Sequence, residues 1–272
     1  MRILIIGCGS IGSVLATAVQ DMPEVDRIYV TDQSKDFAVH LIEDLDKAEY
    51  IDNENGKLSK ILGEIDLAVE AASQDAARRF IPFALENGVD VMVMSVGVFA
   101  DDAFRERCFT LAKRHRSRIY VPSGSICGTD GLHSASAAGI SEVHLTTRKG
   151  PKGLKGAPGL AQRGIDVDAL TEATVVFEGN ARDAASQFPK NLNVAATVSL
   201  LGVGFDQTRV TIICDPTTER NAHTLVVKGE FGELKCETHN VPSPRTPSTS
   251  YLAALSAVAA IKRILGNVWI GV

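Results

Sequence analysis

The sequence predicts an α/β protein in which a doubly wound, mostly parallel sheet is followed by a second α+β domain with a mostly antiparallel sheet. Three observations predict this fold. Short apolar segments alternate with helical segments as far as Pro122, a glycine-rich turn follows the first apolar segment, and the later strands alternate apolar with polar residues. Strands buried on both faces are continuous apolar runs, whereas strands with one face in water alternate.

The expected strands of the first half are short apolar runs, at residues 2–6, 27–31, 67–71, 89–94 and 118–121. Between them, apolar residues recur at helical spacing in the segments 11–21, 35–48, 74–87 and 101–114. Parallel strands joined by right-handed helical crossovers form a sheet with helices on both faces. We therefore expect residues 1–122 to form one domain.

The second half, residues 123–245, is expected to form the α+β domain. Its strands alternate apolar with polar residues, at 143–147, 174–177, 209–213, 222–229 and 232–238, and its helices lie near 129–139 and 194–201. The Gly- and Pro-rich residues 150–159 predict a mobile loop, and residues 240–250, with three prolines, predict a linker. An alanine-rich helix at 250–266 is expected to pack back on the first domain.

Composition excludes several classes of partner. The 272 residues include 28 Lys and Arg against 33 Asp and Glu, a net charge of −5, so there is no basic character of the kind that nucleic-acid binding requires. No apolar run approaches the roughly 18 residues of a membrane span, and the first residues lack a signal peptide, so a cytoplasmic protein is expected. The five cysteines show no CxxC spacing, so neither a metal site nor a disulfide framework is predicted.

The turn after the first strand has the pattern G-x-G-x-x-G, at residues 7–12. Here it follows a buried strand and opens a helix, the context in which such a turn binds a dinucleotide in Rossmann-type domains. The pyrophosphate would lie on the N-terminus of that helix, where free N–H groups favour an anion. We predict that Gly7, Gly9, Ser10, Ile11 and Gly12 contact the cofactor.

Asp32 ends the second strand, twenty residues after Gly12, where a carboxylate would accept hydrogen bonds from the adenosine ribose. A carboxylate there repels a 2′-phosphate, which favours NAD over NADP, although Lys35 is close enough to weaken the preference. Ala72 and Ser73 follow the next strand of the sheet, at the edge where ligands bind in open α/β sheets. We predict that both residues line the nicotinamide side of the site.

Spacing alone does not identify the residue that performs the chemistry. The second half contains four histidines in the region where a substrate would bind, His133, His144, His223 and His239, and an ordinary histidine is the default interpretation of each. Cations in the same half that could hold a carboxylate are Arg148, Lys149 and Lys190, although cationic residues more often form a solvated face.

A longer pattern in the second half resembles the L-aspartate dehydrogenase family. It consists of Phe-Pro-Lys-Asn-Leu-Asn-Val-Ala-Ala-Thr at 188–197, Asn-Ala-His at 221–223 and Lys-Gly-Glu-Phe-Gly at 228–232. The resemblance also covers residues 7–12, 69–74, 95–101, 123–125, 145–149 and 250–255, so it extends over nearly the whole chain. It implies oxidation of L-aspartate to iminoaspartate with NAD or NADP, and a role in NAD biosynthesis.

The resemblance also implies roles for individual residues. The family's active-site histidine falls on His223, and its NAD-contacting asparagine falls on Asn193. A second NAD contact, an alanine in the family pattern, is Ser125 here, which leaves any apolar contact at that position in doubt. The two carboxylates of aspartate need cationic or N–H donors. Our candidates are Lys190, Arg148 and Lys149, with Lys190 first because it adjoins Asn191, a further candidate, and Asn193.

Two alternatives remain open from the sequence. One is a dehydrogenase or reductase of another small amino or dicarboxylic acid, similar to the homoserine dehydrogenases or dihydrodipicolinate reductases. The other is an NAD-binding regulatory protein without catalytic activity. The alanine-rich terminal helix and the apolar faces of the antiparallel sheet further suggest a symmetric homodimer.

Overall fold

A computed structural model describes residues 1–52, 56–189, 192–244 and 249–271. The chain divides into two compact units. The first comprises Met1–Pro122 together with Ala254–Asn267, and the second comprises Ser123–Ala253 together with the last residues of the chain. Within the described ranges, no helix combines the length and the apolar character that crossing a bilayer requires.

The first unit contains a six-stranded parallel sheet in the order β3-β2-β1-β4-β5-β6. Its strands are β1 (Arg2–Ile6), β2 (Arg27–Thr31), β3 (Ala48–Tyr50), β4 (Leu67–Glu70), β5 (Asp90–Val93) and β6 (Ile119–Tyr120). The chain runs outward from β1 to β3 and then crosses back to β4 on the other side of β1. This reversal is the point at which open α/β sheets bind ligands. The predicted doubly wound sheet is confirmed.

Helices cover this sheet because each presents an apolar stripe to it. They are α1 (Ser10–Gln20), α2 (Lys35–Ile42), α3 (Lys57–Ile61), α4 (Gln74–Glu86), α5 (Asp102–His115) and the terminal α11 (Tyr251–Leu265). Leu15 and Val19 of α1 are fully buried, and Ala257 and Ile261 of α11 belong to the same apolar cluster as Ile3 of β1. The terminal helix therefore completes the core of the first unit.

Two details of the first unit differ from the sequence prediction. The helix expected at 35–48 ends at Ile42, and the short edge strand β3 follows it and pairs with β2. Neither β3 nor α3 was predicted. An edge strand of three residues buries little and pairs on one side only, so it leaves almost no apolar pattern in the sequence.

The second unit contains a five-stranded mixed sheet in the order β11-β10-β7-β9-β8. Its strands are β7 (Ile140–Lys149), β8 (Thr174–Asn180), β9 (Arg209–Cys214), β10 (Asn221–Gly229) and β11 (Gly232–Asn240). All neighbours pair antiparallel except β7 and β9, which are parallel. The prediction of a mostly antiparallel sheet is confirmed, and β7 extends beyond the predicted 143–147 at both ends.

One face of this sheet is buried under helices α6 (Thr129–Ala135), α9 (Ala181–Gln187) and α10 (Asn193–Leu201). Val143 and Leu145 of β7 and Leu225 of β10 are at most 1% exposed on this face. Because strand residues alternate between faces, Thr147 and Lys149 continue the same row on β7, and His223 continues it on β10. The buried face thus carries polar groups at one end of the sheet.

The predicted mobile loop at 150–159 is wrong. The segment begins a pair of short helices, α7 (Pro151–Leu154) and α8 (Pro158–Gln162), each with proline in its first turn. Proline fits that position because the N–H it lacks would have no partner within the helix. Leu154 and Leu160 are buried, so apolar contacts hold the segment in place despite its glycine content.

Candidate active site

The glycine turn between β1 and α1 requires glycine at its first and third glycine positions, for different reasons. Gly7 has φ +101°, and a methyl group on it would lie 2.7 Å from the carbonyl oxygen of Ala71. A methyl group on Gly12 would lie 1.8 Å from the carbonyl oxygen of Gly7, so α1 can approach the strand this closely only without a side chain. At Gly9, by contrast, a methyl group would point into open space.

That open space belongs to a cleft of about 790 Å³ at the carboxyl ends of β1, β2 and β4. Five of the predicted cofactor residues line it: Gly7, Gly9, Asp32, Ala72 and Ser73. The other three predicted residues of the glycine turn form the first turn of α1 and do not line this cleft: Ser10, Ile11 and Gly12. The sequence did not identify Phe37, Arg79 and Phe80, which also line the cleft.

The cleft fits a dinucleotide. Its volume is within the usual range of cofactor and ligand pockets, roughly 300–1,000 Å³. The first turn of α1 contains no acidic residue. Its free N–H groups and the positive end of the helix dipole can therefore bind a pyrophosphate without repulsion from a neighbouring carboxylate. The open space beside Gly9 would admit the phosphates, because no side chain fills it.

Asp32 has both carboxylate oxygens engaged by the backbone. One accepts a hydrogen bond from the N–H of Cys8 at 2.6 Å, and the other accepts from the N–H of Ser34 at 2.8 Å. These bonds hold the carboxylate at the wall of the cleft, and each oxygen retains a lone pair for a ribose hydroxyl. Lys35 is not among the residues that line the cleft, and its ammonium lies 5.9 Å from the ring centroid of Tyr50.

Glu70, at the end of β4, is a buried carboxylate that organises the far wall of the cleft. It accepts hydrogen bonds from the N–H groups of Ala72, at 2.9 Å, and Ser73, at 3.0 Å. It also accepts from the N–H of Ser95 at 3.0 Å and from its hydroxyl at 2.9 Å. Burial raises the pKa of Glu70, and these bonds oppose the rise. Glu70 therefore fixes the loops after β4 and β5.

In the second unit, His223 is held between two hydroxyl groups on the buried face of the sheet. Thr147, its partner in the β7–β10 register, places Oγ1 3.0 Å from Nδ1. Ser125 places Oγ 3.3 Å from Nε2. A neutral imidazole has one N–H and one lone pair, so one hydroxyl accepts from the ring while the other donates to it. His223 is 2% exposed, and its ring is fixed at both nitrogens.

The electrostatic environment keeps this imidazole neutral. Burial lowers the pKa of His223 to about 3, and the nearby charge of Lys149 adds to the effect. Lys149 is itself 8% exposed, and burial lowers its pKa to about 8. The ordinary histidine pKa near 6.5 therefore does not apply to His223 in the folded chain. The neutral imidazole of His223 and the amino group of Lys149 therefore lie close together on the buried face of the sheet.

Two residues of β11 hold the backbone of Ser125 in place. Its carbonyl oxygen accepts a hydrogen bond from the hydroxyl of Thr238 at 3.1 Å and another from the side-chain amide of Asn240 at 2.9 Å. Thr238 is also the register partner of His223 on β11. The segment that carries Ser125 is thus held against the strand next to the one that carries the imidazole.

The structure does not bring Arg148 to His223. Adjacent strand residues point to opposite faces, so Arg148 lies on the other face from Thr147, and its guanidinium pairs with Asp215 at 2.9 Å. Arg148 therefore does not lie beside His223, contrary to its predicted place at this site, and Lys149 is on the face that carries the imidazole. Lys190 and Asn191 lie outside the described residues. Asn193 is the exposed first residue of α10.

Two family models match the chain. One, described as homoserine dehydrogenase, NAD binding domain, matches residues 7–122, and the other, described as aspartate dehydrogenase, C-terminal, matches residues 130–264. The parallel sheet, the glycine turn and the ligand-sized cleft, together with the first of these models, define an NAD(P)-dependent oxidoreductase.

Similar proteins specify the family. An L-aspartate dehydrogenase of Methanosarcina acetivorans is 47% identical over 100% of this chain and 99% of its own length, and that of Nitrosopumilus maritimus is 38% identical over 96% of each. The solved structure of aspartate dehydrogenase from Thermotoga maritima has a TM-score of 0.77 and 30% identity, covering 100% of this chain and 99% of that one. The chain belongs to the L-aspartate dehydrogenase family, which confirms the resemblance.

Proposed function

We propose that this protein oxidises L-aspartate to iminoaspartate with NAD(P)⁺ and that His223 is the acid–base group. Iminoaspartate would then hydrolyse to oxaloacetate and ammonia or enter NAD biosynthesis. A cytoplasmic location and a homodimer remain part of the proposal. The observation that carries it is the buried imidazole of His223, held at both nitrogens in the region matched by the aspartate dehydrogenase model.

The chemistry has two requirements that protein groups must meet. The substrate ammonium must lose a proton before the Cα–N bond can become an imine, and a water molecule must be activated if the imine is hydrolysed. A histidine within hydrogen-bond reach can accept either proton. NAD(P)⁺, when bound, would supply the acceptor for the hydride that leaves Cα. Gly7, Gly9, Asp32, Ala72 and Ser73 would hold the cofactor, because they line the cleft.

We assign the orientation of the base to Thr147 and Ser125. The hydroxyl at Nδ1 and the hydroxyl at Nε2 restrict rotation of the ring, and a base that is already oriented avoids an entropic cost during the reaction. Because both hydroxyls can donate as well as accept, they can adapt to either protonation state of the imidazole. His223 can therefore gain and lose a proton without leaving a buried group unpaired.

Lys149 supplies the positive charge that a dicarboxylate substrate needs. We infer that a substrate carboxylate binds near its ammonium and offsets its charge. This contact would also remove the repulsion that Lys149 exerts on a protonated His223, so the pKa of His223 would rise when substrate binds. The rise would be partial, because burial, the larger cause of the low pKa of His223, would remain.

An assay of reduced cofactor formation with a panel of acids tests the substrate. We expect turnover with L-aspartate and none comparable with L-glutamate, L-alanine, L-homoserine or L-malate, and the reverse reaction should consume reduced cofactor with oxaloacetate and ammonia. Turnover on another member of the panel would support the alternative of a different substrate. Cofactor binding without turnover on any of them would support a regulatory protein.

A further inference from the structure

Two cysteines that are far apart in the sequence meet in the second unit. Cys127 precedes α6, and Cys236 lies on β11 opposite Leu225 of β10. The sulfur of Cys236 lies against the backbone next to Cys127, since a methyl group on Gly128 would be 2.7 Å from it. Cys127 Sγ is also 3.6 Å from the carbonyl oxygen of Glu237. The two sulfurs are therefore neighbours.

Cys127 and Cys236 are the most accessible of the five cysteines. Cys127 and Cys236 are half-buried, whereas Cys8, Cys108 and Cys214 are buried. Burial raises the pKa of Cys8 to about 12 and that of Cys108 to about 11, so these thiols are poor nucleophiles near neutral pH. An oxidant in solution meets the Cys127–Cys236 pair first.

The pair also adjoins the His223 site. Cys236 is the register partner of Leu225, one pleat along β10 from His223, and Cys127 is two residues from Ser125. The carbonyl of Ser125 is already bonded to Thr238 and Asn240 of β11. A covalent bond between the two sulfurs would add a third link between this segment and β11.

We propose that Cys127 and Cys236 are a reversible redox modification site, which forms an intrachain disulfide by exchange with a low-molecular-weight disulfide. The thiolate of one cysteine attacks the reagent, forms a mixed disulfide and releases one thiol of the reagent. The other cysteine then attacks the protein sulfur of that bond and releases the second thiol. The pair loses two electrons and two protons, and the reagent is reduced to two thiols.

Either cysteine can make the first attack, because both thiols are half-buried rather than buried. The inference is independent of the substrate, because the linkage can be measured without any turnover.

Oxidation of the full-length protein with oxidised glutathione tests the proposal. We expect the thiols titrated after unfolding to fall by two from the total of five. Mass spectrometry should show the loss of two hydrogens and a peptide linkage between residues 127 and 236, and dithiothreitol should reverse both changes. The amides of residues 123–128 should exchange more slowly with deuterium in the oxidised form, because the segment is then tied to β11.

Single variants separate this mechanism from simple surface modification. Cys127→Ser should trap a glutathione adduct at Cys236, while Cys108→Ser, at a buried thiol, should form the same linkage as the wild type. Cys236→Ala should form no intrachain linkage. Retention of all five thiols, stable glutathione adducts on the wild type, or a linkage between any other cysteines or between chains would overturn the proposal.

Discussion

The Thr147→Val substitution tests how the protein holds its imidazole. Thr147 and His223 are 3% and 2% exposed, and Oγ1 lies 3.0 Å from Nδ1. Valine has nearly the same shape but no hydroxyl, so Nδ1 would be left buried without this partner. A buried polar group without a hydrogen bond costs about 1–3 kcal/mol. We expect the free energy of unfolding to fall by about that amount.

The same substitution should slow catalysis. If the whole loss appears in the transition state, kcat for aspartate falls roughly 5- to 160-fold, since 1.36 kcal/mol corresponds to about a tenfold change in rate. Urea unfolding gives the stability, and steady-state formation of reduced cofactor gives kcat. Thr146→Val is the matched control, because Thr146 is the neighbouring residue on the other face of β7. Unchanged stability, with kcat within about twofold of wild type, would refute the reasoning for Thr147.

Three further predictions concern the cofactor cleft and the pH dependence. Gly9→Ala should fold normally and raise KM for NAD⁺, because its methyl group fills open space in the cleft. Gly12→Ala should instead lower the melting temperature, because its methyl group would lie 1.8 Å from the Gly7 carbonyl oxygen. Equal thermal stability of the two variants would contradict this. Asp32→Ala should shift the ratio of kcat/KM for NAD⁺ to that for NADP⁺ roughly 13- to 160-fold toward NADP⁺, because charged hydrogen bonds of about 1.5–3 kcal/mol are lost. An unchanged ratio would exclude ribose recognition by Asp32. Burial lowers the pKa of His223 from 6.5 to about 3, so the unfolded chain binds this proton first and the free energy of unfolding should fall as the pH drops from 6.5 toward 3. In His223→Gln, urea unfolding across this range should show a shallower fall than in wild type, and identical slopes would contradict the assigned shift.

Local patterns in the sequence were sufficient for much of the fold. The apolar runs of β1 and β2 and the glycine turn are features of a few adjacent residues, so strand type and turn position could be inferred directly. The edge strand β3 could not, because it buries little and pairs on one side only. The Gly- and Pro-rich segment after β7 was assigned as a loop because its stability depends on the burial of Leu154 and Leu160, which only tertiary packing provides.

The candidate site was less predictable because it depends on strand register. His223 could be named only from the family resemblance, since nothing near it in the sequence indicates Thr147 or Ser125 as its partners. The pairing of Thr147 with His223 also decides which of Arg148 and Lys149 shares the buried face. Glu70 did leave a signal in the sequence, as a carboxylate within the buried strand β4, but its four donors come from loops that only the folded sheet brings together.

The acid–base role of His223 is tested most directly by single-turnover oxidation of L-aspartate by His223→Asn. Asparagine keeps a polar side chain at this position but cannot accept the proton. The rate constant should fall by roughly 10²–10⁴-fold, the usual contribution of a positioned acid–base group, while the affinity for NAD(P)⁺ changes little. A rate constant within about threefold of wild type would show that another group moves the proton.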